Sequence, residues 1–123
     1  MITTIAGSRT ITDIRHVRLA VERCGWEITA VVSGCARGVD MLAIEFAKAE
    51  GLPYIEYTVT ARDWAREGKA AGVNRSREMI RCSEGLIAVW DGYSRGTKHT
   101  IGMAQRSGIN LYIHLVDAQA RLW

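Results

Sequence analysis

Five short apolar runs rich in β-branched residues alternate with longer amphipathic stretches along the chain, and few folds accommodate that rhythm. Ile2–Ala6, Ile28–Val32, Tyr54–Val59, Leu86–Trp90 and Ile109–Leu115 have the length and composition of strands. Apolar residues recur at helical spacing over Asp13–Cys24 and Val39–Glu50, and Asn74–Cys82 and Thr97–Arg106 also read as helices. Gly25, Gly51 and Gly108 stand where helix stops are expected. Thr60–Gly72 shows less clear periodicity. Leu86–Trp90 is apolar throughout, the pattern of a strand covered on both faces. This alternation predicts an α/β fold, a doubly wound parallel sheet of five strands in the order 3-2-1-4-5 with helices on both faces.

At roughly 100–200 residues per domain, the 123 residues make one domain, 1–123. A chain that is 48% hydrophobic is too apolar for disorder, yet its longest apolar runs fall far short of the ~18–20 residues of a membrane span. The opening MITTIAGSRT lacks the basic flank and apolar core of a signal peptide, so a cytoplasmic domain without membrane contact is expected. Cys24, Cys35 and Cys82 form no disulfide framework, and with His16, His99 and His114 they show no metal-ligand spacing. Neither a metal nor a cofactor is expected. The formal net charge is +3, and the window Ala61–Arg81 carries that whole excess. Arg62, Arg66, Lys69, Arg75, Arg77 and Arg81 stand there against Asp63, Glu67 and Glu78, so an anionic partner is expected for this stretch.

In an open parallel sheet, ligands bind beyond the carboxyl ends of the strands where the strand order reverses. That point lies between the first strand, followed by Gly7-Ser8-Arg9, and the fourth, followed by Asp91-Gly92-Tyr93-Ser94-Arg95-Gly96-Thr97. The second strand runs into Ser33-Gly34-Cys35-Ala36-Arg37-Gly38. Glycine permits close backbone approach to a ligand, and the free amides of a helix start attract anions. Gly96-Thr97, expected to open the last helix with Thr97 as cap or phosphate ligand, is the best cradle in the chain. Any one of these loops is explained as well by turn and cap formation; the three together point to a phosphate. The chain contains neither G-x-x-x-x-G-K-[ST] nor G-x-G-x-x-G, so such a site is of another type.

Four ordered motifs carry a resemblance: Gly7-Ser8-Arg9; Ser33 through Asp40; Gly68-Lys69-Ala70-Ala71-Gly72 with Arg75 and Met79; and Trp90-Asp91-Gly92 with Ser94, Gly96 and Thr97. Over Ile2 to about Ile113 the chain resembles the YspA-type branch of the SLOG superfamily. That resemblance implies a Rossmann-like domain binding a nucleotide or nucleotide-derived ligand. Relatives include the LOG phosphoribohydrolases, which cleave the base from a nucleoside monophosphate, and DprA, which binds single-stranded DNA. The family pattern often has Gly at Cys35 and Asn at Ser76. LOG enzymes also carry a glutamate within the helical turn after Gly-Thr, where this chain has Lys98, His99 and Thr100.

The expected ligand-binding set is Gly7, Ser8, Arg9, Ser33, Gly34, Arg37, Gly38, Asp40, Lys69, Arg75, Asp91, Gly92, Ser94, Gly96 and Thr97. Arg9 is a potential bidentate phosphate clamp. Asp40 reads first as a helix-start carboxylate and second as a ribose ligand. No catalytic residue is assigned; Asp91 and His99 are the candidates to stand in for the missing glutamate. Trp64, Trp90 and Tyr93 could stack on a base, and Cys35, near a helix start, could have a lowered pKa. Three functions remain open: binding or sensing of a nucleotide-derived phosphate ligand, LOG-like hydrolysis of an N-glycosidic bond, and DprA-like binding of single-stranded nucleic acid. A homo-oligomer is expected, because relatives are often dimers and the Leu122-Trp123 end is too apolar for a free tail.

Overall fold

The computed structural model of the protein describes residues 1–117, so the Leu122-Trp123 end lies outside the described residues. Five strands, β1 (Ile2–Gly7), β2 (Ala30–Ser33), β3 (Tyr54–Glu56), β4 (Gly85–Trp90) and β5 (Asn110–Leu115), form one parallel sheet in the order β3-β2-β1-β4-β5. Between them run α1 (Ile14–Arg23), α2 (Val39–Ala49), α3 (Ala61–Glu67), α4 (Ala70–Arg81) and α5 (Arg95–Ser107). The expected α/β architecture and strand order are those observed. Among the described residues no helix is long and apolar enough to cross a membrane.

The strand pleat divides the core in two. Ile5, Val31, Ile87 and Val89 face α1 and α2, where Val17, Ala20, Leu42, Ala43, Phe46 and Ala47 cover them. Ala6, Leu86 and Ala88 point the other way, onto Ile80, Ile101, Met103 and Ala104 of α4 and α5. β1 and β4, at the centre, are buried on both faces, which is why their sequences do not alternate. The two threonines of β1 are fully buried but satisfied. Thr3 Oγ1 accepts from Trp26 Nε1 at 3.0 Å and donates to the Met1 carbonyl at 3.2 Å. Thr4 Oγ1 lies 2.6 Å from Ser83 Oγ, which donates to the Met79 carbonyl at 2.7 Å.

Several boundaries differ from expectation, among them β2, which runs Ala30–Ser33 rather than Ile28–Val32. β3 stops at Glu56, since an exposed edge strand of three residues is held from one side only. Helix α3 occupies much of the weakly periodic stretch. It has no buried residue to impose a period, and its start is fixed instead by a capping box in which Thr60 Oγ1 accepts from the Asp63 amide and Asp63 accepts from the Thr60 amide. Helix α4 begins at Ala70, four residues before Asn74.

Gly38 precedes α2 with φ +76° and ψ −129°, and a Cβ there would lie 2.4 Å from the Ser8 carbonyl oxygen. Gly38→Ala therefore combines backbone strain with a backbone clash, and should lower the unfolding free energy by about 2 kcal/mol or more in urea titrations. An unchanged midpoint would contradict this close approach. Elsewhere, His16 of α1 and His114 of β5 pack with ring centroids 5.7 Å apart. Burial lowers the pKa of both, and His16 lowers that of His114 further. The unfolded chain thus binds protons more readily, and stability falls as pH drops through about 6.5. His114→Gln should show a smaller loss of Tm between pH 7.5 and 5.5 than the parent; an equal loss would place the dependence elsewhere.

Candidate functional site

The rim at the carboxyl end of the sheet is assembled on Ser8, which is only 1% exposed. Its amide donates to the Val89 carbonyl, and its carbonyl accepts from the amides of Ile11 and Val39. Its hydroxyl accepts from the Asp91 amide at 3.0 Å and lies 3.0 Å from Ser94 Oγ. One residue thereby joins the turns after β1 and β4 to the start of α2. Gly7 allows the junction to close, since a Cβ there would lie 1.9 Å from the Val89 carbonyl oxygen. The loop after β2 is fixed by Ser33, whose hydroxyl donates to the Asp40 carbonyl at 2.7 Å and accepts from the Cys35 amide.

Asp91 likewise organises its own turn. Its carboxylate accepts from the amides of Tyr93 and Ser94, both at 2.8 Å, and from Ser94 Oγ at 3.1 Å. Burial alone would raise its pKa, but these hydrogen bonds outweigh burial and lower it. With its side chain engaged below, Ser94 supplies no side-chain cap to α5. Arg95, Gly96 and Thr97 are then the first three residues of α5, whose amides have no intrahelical acceptor. The helix thus opens two residues before the expected Thr97, which is a buried residue of its first turn rather than its cap.

Between this rim and α4 lies a cleft of about 370 Å³. Of the expected ligand-binding set, Gly7, Arg9, Asp40, Lys69, Arg75, Ser94, Gly96 and Thr97 line it, as does the catalytic candidate His99. Ser8, Ser33, Gly34, Arg37, Gly38, Asp91 and Gly92 are not in its wall. Ser8, Ser33 and Asp91 instead bond the turns together, Gly34 lies beneath Arg75, and Arg37 and Gly92 are exposed away from the cleft. Val73, Ser76, Met79 and Thr100 also line the wall. Val73 and Met79 belong to the apolar face of α4, and only the bend of the chain, not local sequence, brings that face to β1.

Four groups set the electrostatics. Arg75 reaches from α4 to donate to the Gly34 carbonyl at 3.1 Å, and the missing side chain of Gly34 makes room, because a Cβ there would lie 3.0 Å from the guanidinium carbon. The Arg75 Nε is buried with no hydrogen-bond partner among the described residues. No carboxylate lies within 4 Å of Arg9, Lys69 or Arg75 among the described residues. The fourth group is Asp40, 5% exposed, which accepts from the Ala36 amide at 3.2 Å. Burial raises its pKa to about 6, although the Ala36 amide and the charges of Arg75 and Arg9 pull the other way. Cys35 adopts a left-handed φ of +61°, a conformation that glycine reaches more easily than a residue with a Cβ. Its thiol pKa is raised by burial, with Glu56 and Asp40 adding to the rise, so the expectation of a lowered value is overturned.

No protein-family model matches the chain. It is 38% identical over 84 residues to the gene 61 protein of Mycobacterium phage D29, an alignment covering 64% of this chain and 66% of that protein. Among solved structures it is similar to DNA processing protein A (DprA) from Streptococcus pneumoniae, with a TM-score of 0.72 at 20% identity over 90% of this chain and 49% of that one. It is also similar to DNA processing protein A from Helicobacter pylori, described for its single-stranded DNA binding mode. The TM-score there is 0.69 at 22% identity, covering 92% of this chain and 64% of that one. The chain thus spans from about half to about two thirds of these proteins, and shares with DprA a Rossmann-like fold.

Asp40 has a consequence for stability that reverses the usual behaviour of a carboxylate. Its folded pKa of about 6 lies above the ordinary 3.8, so the folded chain holds the proton more tightly. The contribution is complete below pH ~4 and is lost as pH rises through about 6, leaving a cost of roughly 3 kcal/mol at neutral pH. Asp40→Asn should accordingly be more stable than the parent at pH 7.5, with the gap closing towards pH 4.5. Equal Tm values at pH 7.5 would show that the carboxylate ionises without penalty.

Proposed function

We propose that the cleft binds the phosphate of a nucleotide or nucleotide-derived ligand, as expected of a SLOG domain of the YspA type. The observation that carries this reading is the convergence of Arg9, Lys69 and Arg75 on one cleft with the open amides at the start of α5. Among the described residues these cations have no carboxylate within ion-pair distance, so they repel one another and an anion relieves that repulsion. The apolar wall of Val73 and Met79 suits a sugar or base.

Binding without turnover fits the residues better than LOG-like hydrolysis. Asp40 is the carboxylate in the cleft wall among the described residues, whereas Asp91 has its oxygens occupied and a lowered pKa that makes it a poor base. Hydrolysis would have to run through Asp40 or His99. A second reading, binding of single-stranded nucleic acid, is supported by the fold shared with DprA and by two exposed aromatics, Trp64 and Tyr93, on segments beside the cleft.

Calorimetric titration with AMP, ADP, ADP-ribose and a single-stranded oligonucleotide at two salt concentrations separates these readings. At least one nucleotide should bind, and Arg9→Ala and Arg75→Ala should each weaken it tenfold or more. Nucleotide binding that ignores both substitutions, or no nucleotide binding at all, would overturn the main reading. An oligonucleotide complex that forms alone and fades steeply with salt would establish the second.

A further inference from the structure

A groove between α4 and α5 continues the cleft outward. Val73 and His99 belong to the walls of both, so the two form one continuous depression. The groove has an apolar floor, Val73, Ile80 and Met103, and a rim of three arginines, Arg77, Arg81 and Arg106. Arg77 and Arg81 stand one turn apart on α4, and Arg106 faces them from the last turn of α5. Like charges at i and i+4 oppose each other on a helix. Here a third cation is added across the groove, and no carboxylate lies within 4 Å of any of the three among the described residues. Arg77 is partly engaged, donating to Asn74 Oδ1 at 3.1 Å. Arg81 and Arg106 are exposed.

We propose that this groove is a second anion subsite, and that the ligand carries a second phosphate separated from the one held in the cleft. The inference rests on the phosphate reading of the cleft and extends it. Arg75 serves the cleft and Arg81 the groove, six residues apart on α4, so at ~1.5 Å of rise per residue their Cα atoms stand about 9 Å apart along the helix axis. Directly joined phosphates, as in a pyrophosphate, sit closer together than that axial separation. The ligand class is therefore a nucleotide derivative with phosphates on separate parts of its skeleton, such as a dinucleotide bearing an additional ribose phosphate. The apolar floor between the charges accommodates the intervening sugar or base.

Inorganic phosphate chains measure the spacing without knowledge of the natural ligand. Affinities of the whole chain for orthophosphate, pyrophosphate, tetrapolyphosphate and pentapolyphosphate would be determined at constant ionic strength. A step of at least tenfold is expected between the short and long chains. Arg81→Ala/Arg106→Ala should reduce that step below threefold and leave orthophosphate and pyrophosphate binding within twofold of the parent. Arg23→Ala/Lys48→Ala, which removes the same charge from α1 and α2, should keep the step. A smooth rise with chain length, or a step that survives loss of Arg81 and Arg106, overturns the second subsite while short-chain binding sensitive to Arg75→Ala keeps the cleft reading. Short-chain binding insensitive to Arg75→Ala overturns both.

Discussion

Backbone meets backbone at the carboxyl edge of the sheet, and everything functional is hung on that contact. The main chain of Ser8 is shared among β4, the turn that follows β1, and the first residue of α2, while its hydroxyl takes the amide of Asp91. Such packing is possible only because Gly7 and Gly38 present no Cβ to the carbonyls of Val89 and Ser8. The small residues of these loops thus act first as structure. They bring three βα turns into register, and the side chains that face the cleft, Arg9, Asp40 and Arg75, inherit their positions from that register.

A cleft lined by three cations and one buried carboxylate is electrostatically unsettled by construction. Among the described residues the cations have no carboxylate within ion-pair distance, and Asp40 sits where burial penalises its charge. Strain of both kinds is tolerated because the two-sided core beneath supplies stability from elsewhere. A bound anion removes one source of strain directly. Protonation of Asp40 would remove the other, and would add to the positive field that attracts the anion.

Much of this was legible in the residues. The period change from strand to helix located all five strands and four of the helices, because burial on one or both faces leaves a repeating pattern. Helix α3 escaped because it buries nothing and so carries no pattern; Thr60 and Asp63, three residues apart, were the available signal. The glycine turns of the rim could be recognised as a group, but not which of their members reach the cleft. Ser8 and Asp91 look like ligands in sequence and are fastened into the turns in space. Conversely, nothing local marks Arg106 as a neighbour of Arg81, since the proximity of α4 and α5 arises from the fold alone.

The absence of buried residues in α3 bears on how such a domain diversifies. Lys69 is delivered to the cleft by the connection between α3 and α4, a segment whose replacement disturbs little of the core. The opposite wall, fastened through Gly7, Ser8 and Gly38, tolerates almost no change. Mutational freedom is therefore concentrated on one side of the cleft, where new chemical preferences can be acquired without endangering the scaffold that holds the anion.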